Sequence, residues 1–201
     1  MGKIHNAHAI TYREITHSEI PTASKLHEKV LESTGSLIGQ PYVQALYSDL
    51  LSNTPDTMVM GAFNGNSLVG LVSASRSVTA TDSVVSAHLF ELLPRIIISG
   101  LKGHISPIEI LTRRSLHAYV KTLMKPDDVY IHTLFTDPAH RRCGIASALV
   151  GEIQKRMGAS YIYVDTRKSN NTALSSYTHM GFEMVKEIGN AVLLRSVVRT
   201  Q

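Results

Sequence analysis

The spacing of hydrophobic positions changes along the chain and divides it into strands and helices. Residues 9–15 alternate apolar and polar side chains, which predicts a first strand. Ser18 and Glu19 then open a stretch in which Ile20, Ala23, Leu26, Val30 and Leu31 recur at helical spacing, and a second helix is expected from Pro41 to Leu51. Thr57 to Phe63 and Ser67 to Ala74 read as two strands. Between them lies Asn64-Gly65-Asn66, whose Asn-Gly pair supplies the positive φ angles of a tight hairpin.

From residue 75 to residue 128 the pattern turns helical. One run carries Leu89, Leu92, Leu93, Ile96 and Ile97, and a second carries Ile108, Ile110, Leu111, Leu116, Val120 and Leu123. This segment is expected to be a helical insertion, either a packed cover over apolar surface or a lid. A strand follows from Val129 to Phe135, then a glycine-containing loop and a helix to about Met157. A strand from Tyr161 to Thr166, a short helix near Thr172 to Met180, and closing strands from Phe182 to Ile188 and Val192 to Val198 complete the chain. The order of elements predicts a mixed α/β fold in one domain over residues 1–201.

Composition narrows the function classes. Hydrophobic residues make up 43% and charged residues 18%, ordinary for a soluble domain, and no stretch reaches the roughly 20 apolar residues of a membrane span. The net charge of +4 is spread along the chain rather than massed on one face, so neither a nucleic acid nor a membrane is the expected partner. The N-terminus lacks a secretory pattern and Cys143 is the lone cysteine, so a cytoplasmic location is expected. His5-x-x-His8 has no cysteine or carboxylate beside it to complete a metal site, and no metal is expected.

The chemistry concentrates in Asp137-Pro138-Ala139-His140-Arg141-Arg142-Cys143-Gly144-Ile145-Ala146. A strand ends there and a helix begins beside Gly144. First-turn N–H groups have no intrahelical partner and lie at the positive end of the helix dipole, and a glycine lets a phosphate approach the backbone. Arg141 and Arg142 add charge. Taken alone, this loop also fits an ordinary strand-to-helix turn with solvated arginines.

The wider pattern is more specific. Arg141-x-x-Gly144-x-Ala146 after a strand resembles the pyrophosphate-binding signature of the GNAT acyltransferase superfamily. Asn170-x-x-Ala173, then Tyr177, then Gly181-Phe182 resembles a second stretch of that family. The resemblance covers residues 129–201 well and the N-terminal elements less specifically, and the 75–128 insertion departs from it. It implies a central, mostly antiparallel and partly splayed sheet flanked by helices, with the insertion between the third and fourth strands. It also implies acetyl-CoA or a similar acyl-CoA as co-substrate. Arg141, Arg142, Cys143, Gly144, Ile145 and Ala146 would hold pyrophosphate, Leu134 and Thr136 would offer backbone groups to pantetheine, and Asn170 would contact the cofactor. Asn170 is equally suited to cap a helix.

Acyl transfer needs a neutral amine, although an alkylamine has a pKa of about 10.4 in water, and a proton for the departing thiolate. Tyr177 is the candidate acid, since a phenol of pKa about 10 stays protonated at neutral pH. Packing on the inner face of its helix is the competing reading. His132 is the candidate base, with an ordinary imidazole pKa of about 6.5 and, by two-residue alternation, a strand face shared with Leu134 and Thr136. A plain core or surface histidine competes, as do Asp127 and Asp128. A covalent route through Cys143 lacks a base partner.

The expectation is an acetyl-CoA-dependent N-acetyltransferase acting on a small-molecule primary amine by direct attack in a ternary complex. A protein or peptide N-acetyltransferase and a non-catalytic acyl-CoA-binding module are the alternatives. The apolar insertion could also serve a homodimer.

Overall fold

The computed structural model describes residues 9–31, 39–81 and 107–197. His5, His8 and the run from Leu89 to Ile97 lie outside the described residues. The elements in chain order are β1 (Ile10–Glu14), α1 (Ile20–Val30), α2 (Gln40–Ser52), β2 (Thr57–Asn64), β3 (Ser67–Ser75), α3 (Pro107–Leu123), β4 (Val129–Thr136), α4 (Ile145–Met157), β5 (Tyr161–Arg167), α5 (Asn171–His179), β6 (Phe182–Ile188) and β7 (Ala191–Val197).

The seven strands form one sheet in the order β1-β2-β3-β4-β5-β7-β6. Each pairing is antiparallel except β4 with β5. Helices cover both faces, which is why β2 and β3 read as nearly continuous apolar runs rather than strict alternations. On one face α4 and α5 bury Leu149, Ile153 and Tyr177 against Met60, Val72, Ile131, Val164 and Leu194. On the other, α1 and α2 bury Ile20, Ala23, Val43, Tyr47 and Leu50 against Val59, Phe63, Leu71 and Phe135. Farther along that second face, Leu116 and Val120 of α3 pack on Tyr130, Tyr163 and Leu193.

Local details depart from the expected pattern in three places. Asn64 pairs with Ser67, so the two-residue turn is Gly65-Asn66 and not Asn64-Gly65. Gly65 alone takes a positive φ, 59°, the type II′ requirement of glycine at the first central position. Leu111 is 67% exposed, because five residues at 100° each set it about 140° around the helix from the buried Leu116. The third departure is in β4 and bears on the site. Ser73 pairs with Thr133 but Ala74 pairs with Ile131, so His132 is an extra residue opposite neither. Such a bulge reverses the in-and-out phase of the strand beyond it. Val129 and Ile131 face α4 before it, and Leu134 faces α4 after it.

Candidate active site

The two parallel strands diverge. β4 and β5 pair only from Val129–Ile131 to Ile162–Val164, although β4 continues to Thr136 and β5 to Arg167. The bulge at His132 bends β4 just where this pairing ends. On its other side, residues 133–136 stay bonded to β3. Their β5-facing backbone groups, those of Leu134 and the N–H of Thr136 among them, are therefore open to an extended ligand.

The loop after β4 is shaped by short-range bonds. The Asp137 carboxylate accepts the Ala139 N–H at 2.9 Å and receives the Lys29 ammonium from α1 at 2.9 Å. Arg142 and Gly144 both take left-handed conformations, at φ 63° and 74°, and successive N–H groups in such a turn converge on one point. Nothing lies within 4 Å of where a Gly144 side chain would begin. Ile145 is buried and seats the helix start on β3, where a Cβ on Gly70 would stand 3.0 Å from its Cγ2. Ala146 is partly buried, whereas Arg141, Arg142 and Cys143 are exposed. The Arg141 Nε donates to the Thr136 carbonyl at 3.4 Å, and the buried Thr136 Oγ1 has no partner among the described residues. An open glycine, unpaired first-turn N–H groups, two arginines and an unsatisfied hydroxyl fit a phosphate-bearing ligand. No group of metal-binding side chains occurs among the described residues.

Tyr177 is carried by α5, whose start is capped by Asn170: its Oδ1 accepts the Ala173 N–H at 3.1 Å. The capping role weighed for Asn170 is thus present. Tyr177 is buried, with its ring 5.4 Å from that of Phe182. Burial and, to a lesser degree, the charge of Asp165 raise its phenol above the ordinary range, so it is protonated at neutral pH.

His132 does not share a face with Leu134 and Thr136. The bulge turns Leu134 and Thr136 to the α4 side and leaves His132 on the face of Tyr130, where its ring lies 5.1 Å from that of Tyr130 and its Nε2 lies 2.7 Å from the Ser75 hydroxyl. His117 of α3 stacks edge-on against Tyr130 at 5.9 Å. Burial, reinforced by Arg113 and His117, lowers the His132 pKa to about 3, well below its ordinary value. The two carboxylates weighed as bases stand apart. Asp128 is buried with Oδ2 accepting the Lys125 N–H at 2.8 Å, a turn contact, and Asp127 is exposed.

The carboxylate near these groups is Asp165, which sequence reasoning passed over. It lies in β5 one residue beyond the paired segment, accepts the Tyr130 hydroxyl, and is felt electrostatically by both Tyr130 and Tyr177. Its signal was a single acid inside Tyr161-Ile162-Tyr163-Val164-Asp165-Thr166, at a position that alternation places with the tyrosines. The parting of β4 and β5 thus lies between Tyr177 on one face of the sheet and Tyr130, His132 and His117 on the other.

Solved structures with this architecture include N-acetyltransferases. The structure of the ribosomal-protein-S18-alanine N-acetyltransferase from Escherichia coli aligns over 96% of both chains with a TM-score of 0.59 at 10% identity. The PaiA N-acetyltransferase of Thermoplasma acidophilum, solved with coenzyme A, covers 94% of this chain and 99% of its own, with a TM-score of 0.59 at 13% identity. NAA60 of Arabidopsis thaliana, solved with acetyl-CoA, gives the same coverages and TM-score at 17% identity. At these identities the likeness is one of fold. Among curated sequences, the "Uncharacterized protein ML0378" of Mycobacterium leprae is 37% identical over 60 residues, which span 30% of this chain and 17% of that protein. The family model described as "Acetyltransferase (GNAT) family" matches residues 24–182. With a mixed α/β sheet that splays between β4 and β5 and a family match over residues 24–182, the chain belongs to the GNAT acetyltransferase family.

Proposed function

We propose that the chain moves an acetyl group from acetyl-CoA to the primary amine of a small molecule, by direct attack with both substrates bound. The observation that carries this reading is the gap between β4 and β5, with the Arg141–Ala146 loop after one strand and protonatable groups on both faces. Arg141, Arg142, Cys143, Gly144, Ile145 and Ala146 would hold the pyrophosphate, the Leu134 and Thr136 backbone the pantetheine arm, and Asn170 would contribute beside its capping role. Acetyl-CoA, when bound, supplies the acetyl group as a thioester; the amine forms an amide and a thiol is released. Tyr177 holds a proton for the sulfur, and its raised pKa keeps that proton in place until charge develops there.

His132 takes a narrower role than a general base of ordinary pKa. Moving a proton from an alkylammonium of pKa about 10.4 onto an imidazole lowered to about 3 would cost roughly 10 kcal/mol. His132 therefore accepts a hydrogen bond from an amine that binds neutral, and orients its lone pair. It receives a proton only after attack has made the nitrogen more acidic.

The small-molecule class rests on α3, whose Leu116, His117 and Val120 pack over the face of the sheet that carries His132. A cytoplasmic setting accords with acetyl-CoA use and a lone cysteine. Among the described residues, no helix is long and apolar enough to cross a membrane.

The test is thiol release from acetyl-CoA by the purified protein against a panel of small amines and N-terminal peptides, beside calorimetric acetyl-CoA binding and a Gly144→Trp control. Amine-dependent release, with binding lost in the control, supports the reading. Turnover of peptides alone would replace the acceptor class, and binding without any release would make the chain a non-catalytic acyl-CoA module.

A further inference from the structure

Ser75 ends β3 with its side chain buried at 1% exposure. Its Oγ lies 2.5 Å from the Ser77 carbonyl oxygen, 2.7 Å from His132 Nε2 and 3.3 Å from the Ser77 backbone nitrogen. A hydroxyl has one proton and two lone pairs, and a carbonyl oxygen can only accept. At 2.5 Å the hydroxyl proton must lie between the two oxygens, since lone pairs facing each other at that separation would repel. Both Oγ lone pairs then face donors: the Ser77 N–H and a hydrogen on His132 Nε2. A neutral imidazole carries one ring hydrogen, so Nδ1 is left with its lone pair. Nδ1 is buried and has no hydrogen-bond partner among the described residues.

The turn that presents the Ser77 carbonyl is tied down on three sides. The Arg76 N–H donates to the Asp56 carbonyl at 2.8 Å, and its guanidinium donates to the carbonyls of Pro126 at 3.0 Å and Met157 at 2.5 Å. The relay from ring nitrogen to hydroxyl to carbonyl is therefore held by the approach to β2, the approach to β4 and the end of α4.

We propose that Ser75 is a positioning residue, which fixes His132 as its Nε2–H tautomer and so presents Nδ1 as the hydrogen-bond acceptor for the N–H of the incoming amine. The amine contact rests on the acetyl-transfer reading above; the tautomer does not. The groups facing His132 are consistent with one neutral form. Tyr130 on its own strand meets the ring at a steep angle, the Ser75 hydroxyl and the Ser77 backbone both act on it, and His117 and Arg113 of α3 oppose a positive imidazole. Asp165 is bonded to Tyr130, and no carboxylate among the described residues bonds Nδ1, so nothing there holds a hydrogen on Nδ1 in the manner of a carboxylate–histidine pair.

The test is a long-range proton–nitrogen NMR spectrum of the full chain, with the His132 signals identified by their loss in His132→Gln. The expected spectrum from about pH 6 to 8 has Nε2 protonated and Nδ1 bare, the range over which an ordinary imidazole would titrate. Nδ1 protonated, an averaged pair of shifts, or an imidazolium in the wild-type protein overturns the proposal without any variant. In Ser75→Ala the two tautomers should mix, and in Ser75→Thr, which keeps the hydroxyl, the Nε2–H form should persist. An unchanged pure tautomer in Ser75→Ala overturns the role given to Ser75. Ser75→Ala should also lower kcat about tenfold, the worth of one hydrogen bond, with the KM for acetyl-CoA unchanged. If the tautomer is as stated but His132→Gln turns over at the wild-type rate, the amine contact falls while the assignment of Ser75 to the tautomer stands.

Discussion

Tyr130 of β4 donates its hydroxyl hydrogen to the Asp165 carboxylate of β5 at the level where the two parallel strands stop pairing. Burial and the Asp165 charge raise the Tyr130 pKa, so the hydrogen stays on the phenol. The bond joins strands that share only three register pairs. Tyr130→Phe should therefore cost about 1–3 kcal/mol of stability, because a partly buried carboxylate loses its donor. Asp165→Asn, whose amide oxygen still accepts, should cost less. Urea unfolding of the two variants checks the order, and equal losses would count against this account.

Tyr177 packs its ring against Phe182, and Phe at that position keeps the packing while removing the proton. Tyr177→Phe should unfold at the wild-type temperature and bind acetyl-CoA normally by calorimetry. Its kcat should fall on the order of 100-fold, as expected for loss of a general acid.

Gly144 faces open space at φ 74°. Gly144→Ala meets no protein atom, so its stability cost should be limited to left-handed strain, about 1–2 kcal/mol. The added methyl would stand where a phosphate is expected to approach, and acetyl-CoA binding should weaken at least tenfold, by roughly 1.4 kcal/mol. A melting curve and a titration separate the two effects.

His27 is buried between Tyr47 and Phe135, with its Nδ1 2.7 Å from the Tyr47 hydroxyl, and burial lowers its pKa to about 4. The unfolded chain binds this proton near pH 6.5 and the folded chain only near 4, so stability is fully present above about 6.5 and is lost as pH falls toward 4. The loss should approach 3 kcal/mol. His132, lowered to about 3, acts in the same direction. Glu19, held down to about 2 chiefly by Arg13, contributes in a lower window, between about 4.5 and 2. Urea unfolding at pH 7, 6 and 5 should show the slope in the wild-type protein and a shallower one in His27→Gln.

Much of this architecture was legible from local pattern. α1 and α2 follow their apolar spacing, and β2 and β3 with their hairpin fall within a residue or two of the expected bounds. The glycine before α4 has the left-handed conformation that a close-approaching loop requires. These are short-range consequences of side-chain shape and backbone freedom, which a linear reading can follow.

What the sequence alone determined, then, is the order of elements, the glycine loop ending in Gly144, and a tyrosine on the inner face of the helix after Asn170, because each depends on residues a few positions apart. Tertiary structure decided which groups meet. Strict alternation put His132 beside both Tyr130 and Leu134, but the bulge against β3 reversed the strand beyond it and left His132 with Tyr130 and Ser75, away from Leu134. Asp127 and Asp128 lay near β4 in sequence, yet the carboxylate near the site is Asp165, brought there by parallel pairing of strands that lie 35 residues apart at Tyr130 and Asp165. The depressed pKa of His132 has the same origin, since burial and the approach of α3 exist only once distant segments have packed.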